Sequence, residues 1–220
     1  MRNFVLILFV FLFSCGQRAS EQSPAPSAES SATDQNLPKI VAFGNSITAG
    51  LGLPASQSYP AVLQELLQVD GYKYEVINAG VSGDTTAGGL RRLDWSLEGN
   101  VKFLILELGA NDILRGQPVD FMKQNLSEMI KKAQAHEVTV LLAQMEAPTN
   151  SGFEYRREVH NAFQDLAQER GVTLIPFILK NVVGAERLIQ EDGSHPTAEG
   201  ARVIAEHVYQ SLKPLLQSAS

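Results

Sequence analysis

The chain has 220 residues, 44% of them hydrophobic, and carries 18 Lys and Arg against 24 Asp and Glu for a net charge of -6. That length supports one globular domain with a full core, and an acidic chain with no basic run lacks the electrostatic footprint that a nucleic-acid backbone requires. The single cysteine, Cys15, excludes an internal disulfide.

At the start, Arg2 precedes an apolar run at residues 4–13 (FVLILFVFLF) and then Ser14 and Cys15, the pattern of a secretion signal over residues 1–14. The run is too short for a membrane-spanning helix, which needs roughly 20 apolar residues. Leu12-Phe13-Ser14-Cys15 resembles the bacterial lipoprotein cleavage box, in which a small residue precedes a cysteine that is lipidated and becomes the new N-terminus. Phe13 is bulkier than usual there, and a simple cleaved signal is the alternative. The resemblance implies an exported lipoprotein, tethered to a membrane through Cys15 and facing the periplasm or the cell exterior. Residues 15–37 continue as a linker rich in Ser, Ala, Pro and Gln that cannot bury enough apolar surface to fold. The folded domain is expected over 38–216, with a tail at 217–220.

Residues 39–43 (KIVAF) have the apolar, β-branched character of a strand buried on both faces, and they stop at Gly44, where the chain must turn. Ser46 follows, at the sheet edge where open α/β proteins gather ligands and reacting groups. By itself the stretch reads as a site, as the first turn of a flavodoxin-like or nucleotide-binding fold, or as a helix cap. Ser58 and Pro60 mark a helix start, with Val62, Leu63, Leu66 and Leu67 at helical spacing. A strand at 74–78 runs into a small-residue loop and a helix at 87–97. The most continuous apolar strand, 102–108, ends at Gly109-Ala110-Asn111-Asp112. Pro118 opens a helix with a core stripe of Phe121, Met122, Leu126, Met129 and Ile130; the methionines read as packing. A strand within 137–144, a loop at 145–152, a helix at 153–170, a strand at 172–176, a short helical piece near 183–189 and a closing helix at 197–212 complete the chain. Strands alternating with helices imply a three-layer α/β/α sandwich with a five-stranded parallel sheet, in the flavodoxin-like order 2-1-3-4-5.

Asp192 and His195 stand three apart, and Pro196 holds His195 extended just before a helix. Serine hydrolysis needs a base for the hydroxyl proton and a carboxylate to fix that base's tautomer, and Ser46, His195 and Asp192 supply one of each. A capped turn or a lone metal ligand is the alternative for the Asp-x-x-His pair. His136, His160 and His207 lack ligand spacing, so no metal site is expected.

Four blocks, in order, resemble the SGNH hydrolase superfamily, also called the GDSL-type esterases and lipases: Gly44-Asn45-Ser46-Ile47-Thr48, the loop with Gly83, the turn with Asn111, and Asp192-Gly193-Ser194-His195-Pro196. The runs at 83–92 and 107–116 look most like the arylesterase, acyl-CoA thioesterase and lysophospholipase branch known as TAP-type enzymes. The resemblance implies Ser46 as nucleophile, His195 as base and Asp192 as its orienting carboxylate. The oxyanion would be held by the backbone N–H groups of Ser46 and Gly83 and by the Asn111 amide. It also implies a monomer without cofactor or metal, cleaving small esters, thioesters or lysophospholipids. Ile113 and Leu114, from a loop at 113–118 that is either substrate-sensing or an ordinary connection, and Met145 and Pro148 are the candidate pocket residues. A carbohydrate O-acetyl esterase is the alternative among enzymes. A lipid-tethered binding module that lost its chemistry is the alternative of another class, although none of the five site residues is missing. A nucleotide-binding domain would need G-x-x-x-x-G-K after the first strand, which is absent. The family usually carries Asp where this chain has Asn45; hydrogen bonding that holds the loop, not charge, is the expected duty of that position.

Overall fold

Strand β1 (Lys39–Gly44) lies at the centre of the architecture in the computed structural model, which describes residues 37–218. It pairs in parallel with β2 (Glu75–Gly80) on one side and β3 (Val101–Glu107) on the other; β4 (Thr139–Ala143) and β5 (Thr173–Ile175) extend the sheet to the order β2-β1-β3-β4-β5. The expected sheet order is the one observed. The expected signal, Cys15 and all but the last residue of the linker lie outside the described residues.

Burial explains the sheet. Residues 40–43 of β1, 104–106 of β3 and 141–143 of β4 are at most 2% exposed, as strands covered on both faces must be. The covering helices are α2 (Tyr59–Val69), packed on α7 (Ala198–Ser218), and α3 (Thr86–Ser96), α5 (Val119–Ala135) and α6 (Phe153–Arg170), packed side by side. Two short helices, α1 (Ser46–Ala49) and α4 (Ala110–Leu114), sit directly after β1 and β3. Among the described residues no helix is long and apolar enough to cross a membrane.

Ser58 occupies the N-cap position of α2, as expected, with its hydroxyl donating to the Ala55 carbonyl at 2.8 Å. Three local expectations are corrected. Phe121 is 45% exposed, because it shares a helical line with exposed Gln124 and half-buried Glu128, three and seven residues on, and not with the buried stripe through Met122, Leu126, Met129 and Ile130. Strand β5 is three residues long instead of five. Helix α7 runs through Pro214 to Ser218 instead of stopping near Leu212: the missing N–H is offset by burying Leu212 and Leu216, one turn apart on the core face.

The register places the site. Gly44 at the end of β1 stands opposite Gly80 of β2 and Glu107 of β3, so three strand ends meet at one point of the carboxyl edge. Gly44 has no room for a side chain, since a Cβ there would fall on the Glu107 carboxylate and the Thr48 hydroxyl.

Candidate active site

Leaving β1, the chain turns at Asn45, the N-cap of α1, whose side-chain oxygen accepts the Ile47 N–H at 3.0 Å. Ser46 is therefore the first residue of a one-turn helix, and its hydroxyl oxygen lies 2.8 Å from Nε2 of His195, 149 residues away in sequence. Nδ1 of His195 lies 2.5 Å from Oδ2 of Asp192. The other oxygen, Oδ1, accepts the backbone N–H groups of Ser194 at 2.9 Å and His195 at 3.0 Å. Those two N–H groups, then the imidazole, hold the Asp192 carboxyl down at about 2. An ionised carboxylate can only accept, so Nδ1 of His195 carries a proton; in the neutral ring Nε2 is then an acceptor, aimed at the Ser46 hydroxyl.

The turn that carries Asp192 and His195 is fastened by a residue that sequence reasoning passed over. Gln190 donates its backbone N–H to the His195 carbonyl at 2.8 Å and its side-chain amide to the carbonyls of Pro196 and Leu51, both at 2.8 Å. The bond to Leu51 ties this turn to the segment that leaves α1, the helix of Ser46.

The expected oxyanion donors sit on adjoining loops of the same edge. Gly83 adopts φ 84°, a left-handed conformation that suits glycine; a Cβ there would meet nothing within 4 Å, so backbone angle, not crowding, calls for glycine in the free protein. Asn111 in α4 donates from its side-chain amide to the Asp84 carbonyl at 2.8 Å, and Arg115 donates to the Gly83 carbonyl at 3.0 Å. The Val81 N–H reaches the Gly44 carbonyl at 3.0 Å. Arg92 of α3, also unanticipated, binds Asp84 at 2.7 Å, the Ala79 carbonyl at 2.8 Å and the Gly44 carbonyl at 2.9 Å, with its guanidinium 3.9 Å above the Phe43 ring. One side chain thus joins the ends of β1 and β2 to the loop that carries Gly83.

Beneath the turn that carries Ser46 lies Glu107, 0% exposed. Its Oε2 accepts the Asn45 N–H at 3.2 Å, the Thr48 N–H at 3.3 Å and the Thr48 hydroxyl at 2.7 Å, while Oε1 accepts the Asn45 amide at 2.7 Å. Burial pushes this carboxyl up to about 7, against the downward pull of those donors.

Of the four expected pocket residues, Leu114 and Pro148 are exposed; Ile113 and Met145 are 6% and 2% exposed and belong to the core. Sequence alone could not separate Ile113 from Leu114, since neighbouring residues of a helix lie about 100° apart around its axis and one can be buried while the next is exposed. Among the described residues no cluster of three or more His, Cys, Asp or Glu has the geometry to hold a metal ion.

The sequence pattern of the family described as GDSL-like Lipase/Acylhydrolase matches residues 42–203. Esterase TesA of Pseudomonas aeruginosa PAO1 is 40% identical over 178 residues, 80% of this chain and 89% of the relative. The arylesterase of Vibrio mimicus is 38% identical over 183 residues, covering 83% and 92%. Thioesterase 1/protease 1/lysophospholipase L1 of Escherichia coli K12 is 33% identical over 182 residues, covering 82% and 86%. A crystal structure of TesA superposes with a TM-score of 0.78 over 80% of this chain and 99% of its own, at 40% identity.

Proposed function

The chain belongs to the GDSL-like lipase/acylhydrolase family and is an ester hydrolase, and we propose that it cleaves carboxylic esters and thioesters, lysophospholipids among them, through an acyl-serine intermediate on Ser46. The observation that carries this reading is the unbroken relay from Ser46 Oγ to His195 Nε2 at 2.8 Å and from His195 Nδ1 to Asp192 at 2.5 Å.

In the proposed mechanism His195 Nε2 takes the Ser46 proton as Oγ attacks the acyl carbon, and Asp192 stabilises the imidazolium that forms. The negative charge developing on the carbonyl oxygen is met by the N–H groups of Ser46 and Gly83 and by the second amide hydrogen of Asn111, the first being committed to Asp84. His195 then returns the proton to the leaving alcohol or thiol. A water molecule, activated by the same nitrogen, attacks the acyl-serine carbonyl and releases the acid.

The test is covalent labelling with a fluorophosphonate probe, followed by p-nitrophenyl esters of increasing acyl length on the parent and on Ser46→Ala. The parent should label stoichiometrically and turn over esters. Ser46→Ala should do neither while keeping its fold, and a variant with even a tenth of parental turnover removes Ser46 from the nucleophile's role.

Residues 1–37 are proposed to export the domain and tether it to a membrane through lipidated Cys15, on the strength of Arg2, the apolar run at 4–13 and the cysteine that follows. Cys15→Ala should lose incorporation of labelled fatty acid and leave the membrane fraction. Identical fractionation of variant and parent rejects the tether.

A further inference from the structure

The mechanism leaves one buried ionisable group without a task. Glu107 ends β3 with no exposed surface, and its partners are neutral donors instead of a cation. A lone buried carboxylate is costly, and a strand end could have been closed by an apolar residue. All four donors come from two residues, Asn45 and Thr48, which flank Ser46 and Ile47 in the nucleophile turn. The approach is close enough that Gly44, the strand's last residue, cannot carry a side chain.

We propose that Glu107 is a positioning residue for the nucleophile: its ionised carboxylate gathers the donors of Asn45 and Thr48 and so fixes the Ser46 hydroxyl against His195. This role rests on the reading of Ser46 as nucleophile. It also assigns a reason to Asn45. The side-chain oxygen of Asn45 is committed to the Ile47 N–H, so its NH2 group must face Glu107, where it finds an acceptor at 2.7 Å. Asn is the residue that bridges an N–H inside the turn and a carboxylate beneath it without requiring a proton on either group. The same oxygen lies 3.5 Å from Ser46 Oγ, which couples the bridge to the nucleophile itself.

This bonding pattern can be reversed while every bond is kept. In Glu107→Gln, the new amide's oxygen can replace Oε2 and accept the two N–H groups and the Thr48 hydroxyl, but its NH2 then opposes the NH2 of Asn45. Adding Asn45→Asp turns that clash into a bond: the amide introduced beneath the turn donates to one oxygen of the carboxylate introduced within it. The other oxygen of that carboxylate keeps the Ile47 N–H, and the net charge is unchanged.

The experiment is steady-state kinetics with one p-nitrophenyl ester, fluorophosphonate labelling rates and melting temperatures for the parent, Glu107→Gln and the double variant. Per folded molecule, Glu107→Gln should lose about tenfold or more in kcat and in labelling rate with KM within about twofold, since a displaced nucleophile slows chemistry more than binding. The double variant should recover kcat to within about threefold of the parent, a coupling of neighbouring sites read by the cycle. Parental kcat in Glu107→Gln overturns the proposal, as does a folded double variant no faster than the single one. If Glu107→Gln does not fold, the double variant decides alone, with recovery upholding the role and kcat at or below about a tenth of the parent rejecting it. Ser46→Ala, run alongside, separates the two readings. If it turns over and labels, the serine assignment fails; if it is silent while Glu107→Gln equals the parent, only the role of Glu107 fails.

Discussion

The two ends of the relay are built in opposite ways. The nucleophile turn hangs on residues 62 and 59 positions apart, with Asn45, Thr48 and Glu107 at most 1% exposed. The base turn is local: Asp192 holds residues two and three positions on, its side chain 47% exposed and that of His195 21%. Each end has a carboxylate, and surroundings drive them apart, Glu107 up to about 7 by burial and Asp192 down to about 2 by backbone N–H groups. A base built on a local exposed turn can be altered with little cost to the fold. A nucleophile anchored in the core cannot, because the bonds that aim it also join strand to strand.

The largest effect that tests this contrast is His195→Ala. Turnover should fall by about a thousandfold or more, as for loss of the base in comparable triads. The melting temperature should move by no more than about 2 °C, since the ring is partly exposed and its one bond to another element is the single contact with the Ser46 hydroxyl. A large drop in melting temperature would mean that the base turn is part of the core after all. Asp192→Asn comes next. The Asn oxygen can keep the N–H groups of Ser194 and His195, but its NH2 faces Nδ1 and favours the wrong tautomer, so kcat/KM should fall by about a hundredfold to ten-thousandfold. A loss under tenfold would show that the ring is oriented by something else. With its pKa at about 2, the parental carboxylate stays ionised above about pH 3, so Asp192 contributes no acid limb to activity measured from pH 4 upward.

What the sequence revealed follows the same divide. Asp192, His195 and Pro196 lie within five residues, and Ser46 follows an apolar run broken by glycine, so local pattern exposes both; Gly83 and Asn111 came from the resemblance to the SGNH family. Glu107 looked like one more residue of the strand expected at 102–108, because its partners are some sixty positions away and no periodicity points to them. Arg92 and Gln190 were hidden for the same reason, since they act through carbonyls of distant loops. Helices α1 and α4 are single turns, too short to show a 3.6-residue repeat. The sheet order was legible because five apolar strands alternating with amphipathic helices leave few ways to cover both faces.

Thr48→Val sharpens the contrast from the buried side. Valine has the shape of threonine but removes the hydroxyl that donates to Glu107 at 2.7 Å and lies 3.3 Å from the Tyr59 hydroxyl. Leaving Glu107 and Tyr59 short of a partner should cost about 2 kcal/mol, on the order of 6 °C in melting temperature for a domain of this size. Turnover should fall only a few fold, because three of the four donors to Glu107 remain. His195→Ala and Thr48→Val should therefore separate cleanly, one losing activity without stability and the other the reverse. Equal melting temperatures for Thr48→Val and parent would detach the nucleophile turn from the core.

The smallest effect, visible only against pH, is that of Asn45→Asp. In the parent, Glu107 is raised from 4.5 to about 7, so the stability it lends is fully present below pH 4.5 and is lost as pH rises through about 7. Activity runs the other way, because the ionised form gathers all four donors. The groups around it are Tyr59 of α2, whose own ionisation burial pushes up, Arg92 of α3 on the Gly44 carbonyl, and the His195 and Asp192 pair. Asn45→Asp sets a second carboxylate where an amide now lies 2.7 Å from Oε1, and two such groups must share a proton. The upper ionisation of the pair then lies above that of Glu107 alone, and the loss of stability continues past pH 7, where that of the parent is ending. At pH 6 the shared proton stands in for the amide hydrogen, so kcat/KM should stay within about tenfold of the parent, about 1.4 kcal/mol in the barrier. From pH 7 to 9 the ratio of variant to parent should fall and the gap in melting temperature widen. A ratio that stays flat from pH 6 to 9 would show that residue 45 does not sense the charge on Glu107, and that the bond between them serves the turn without coupling it to a proton.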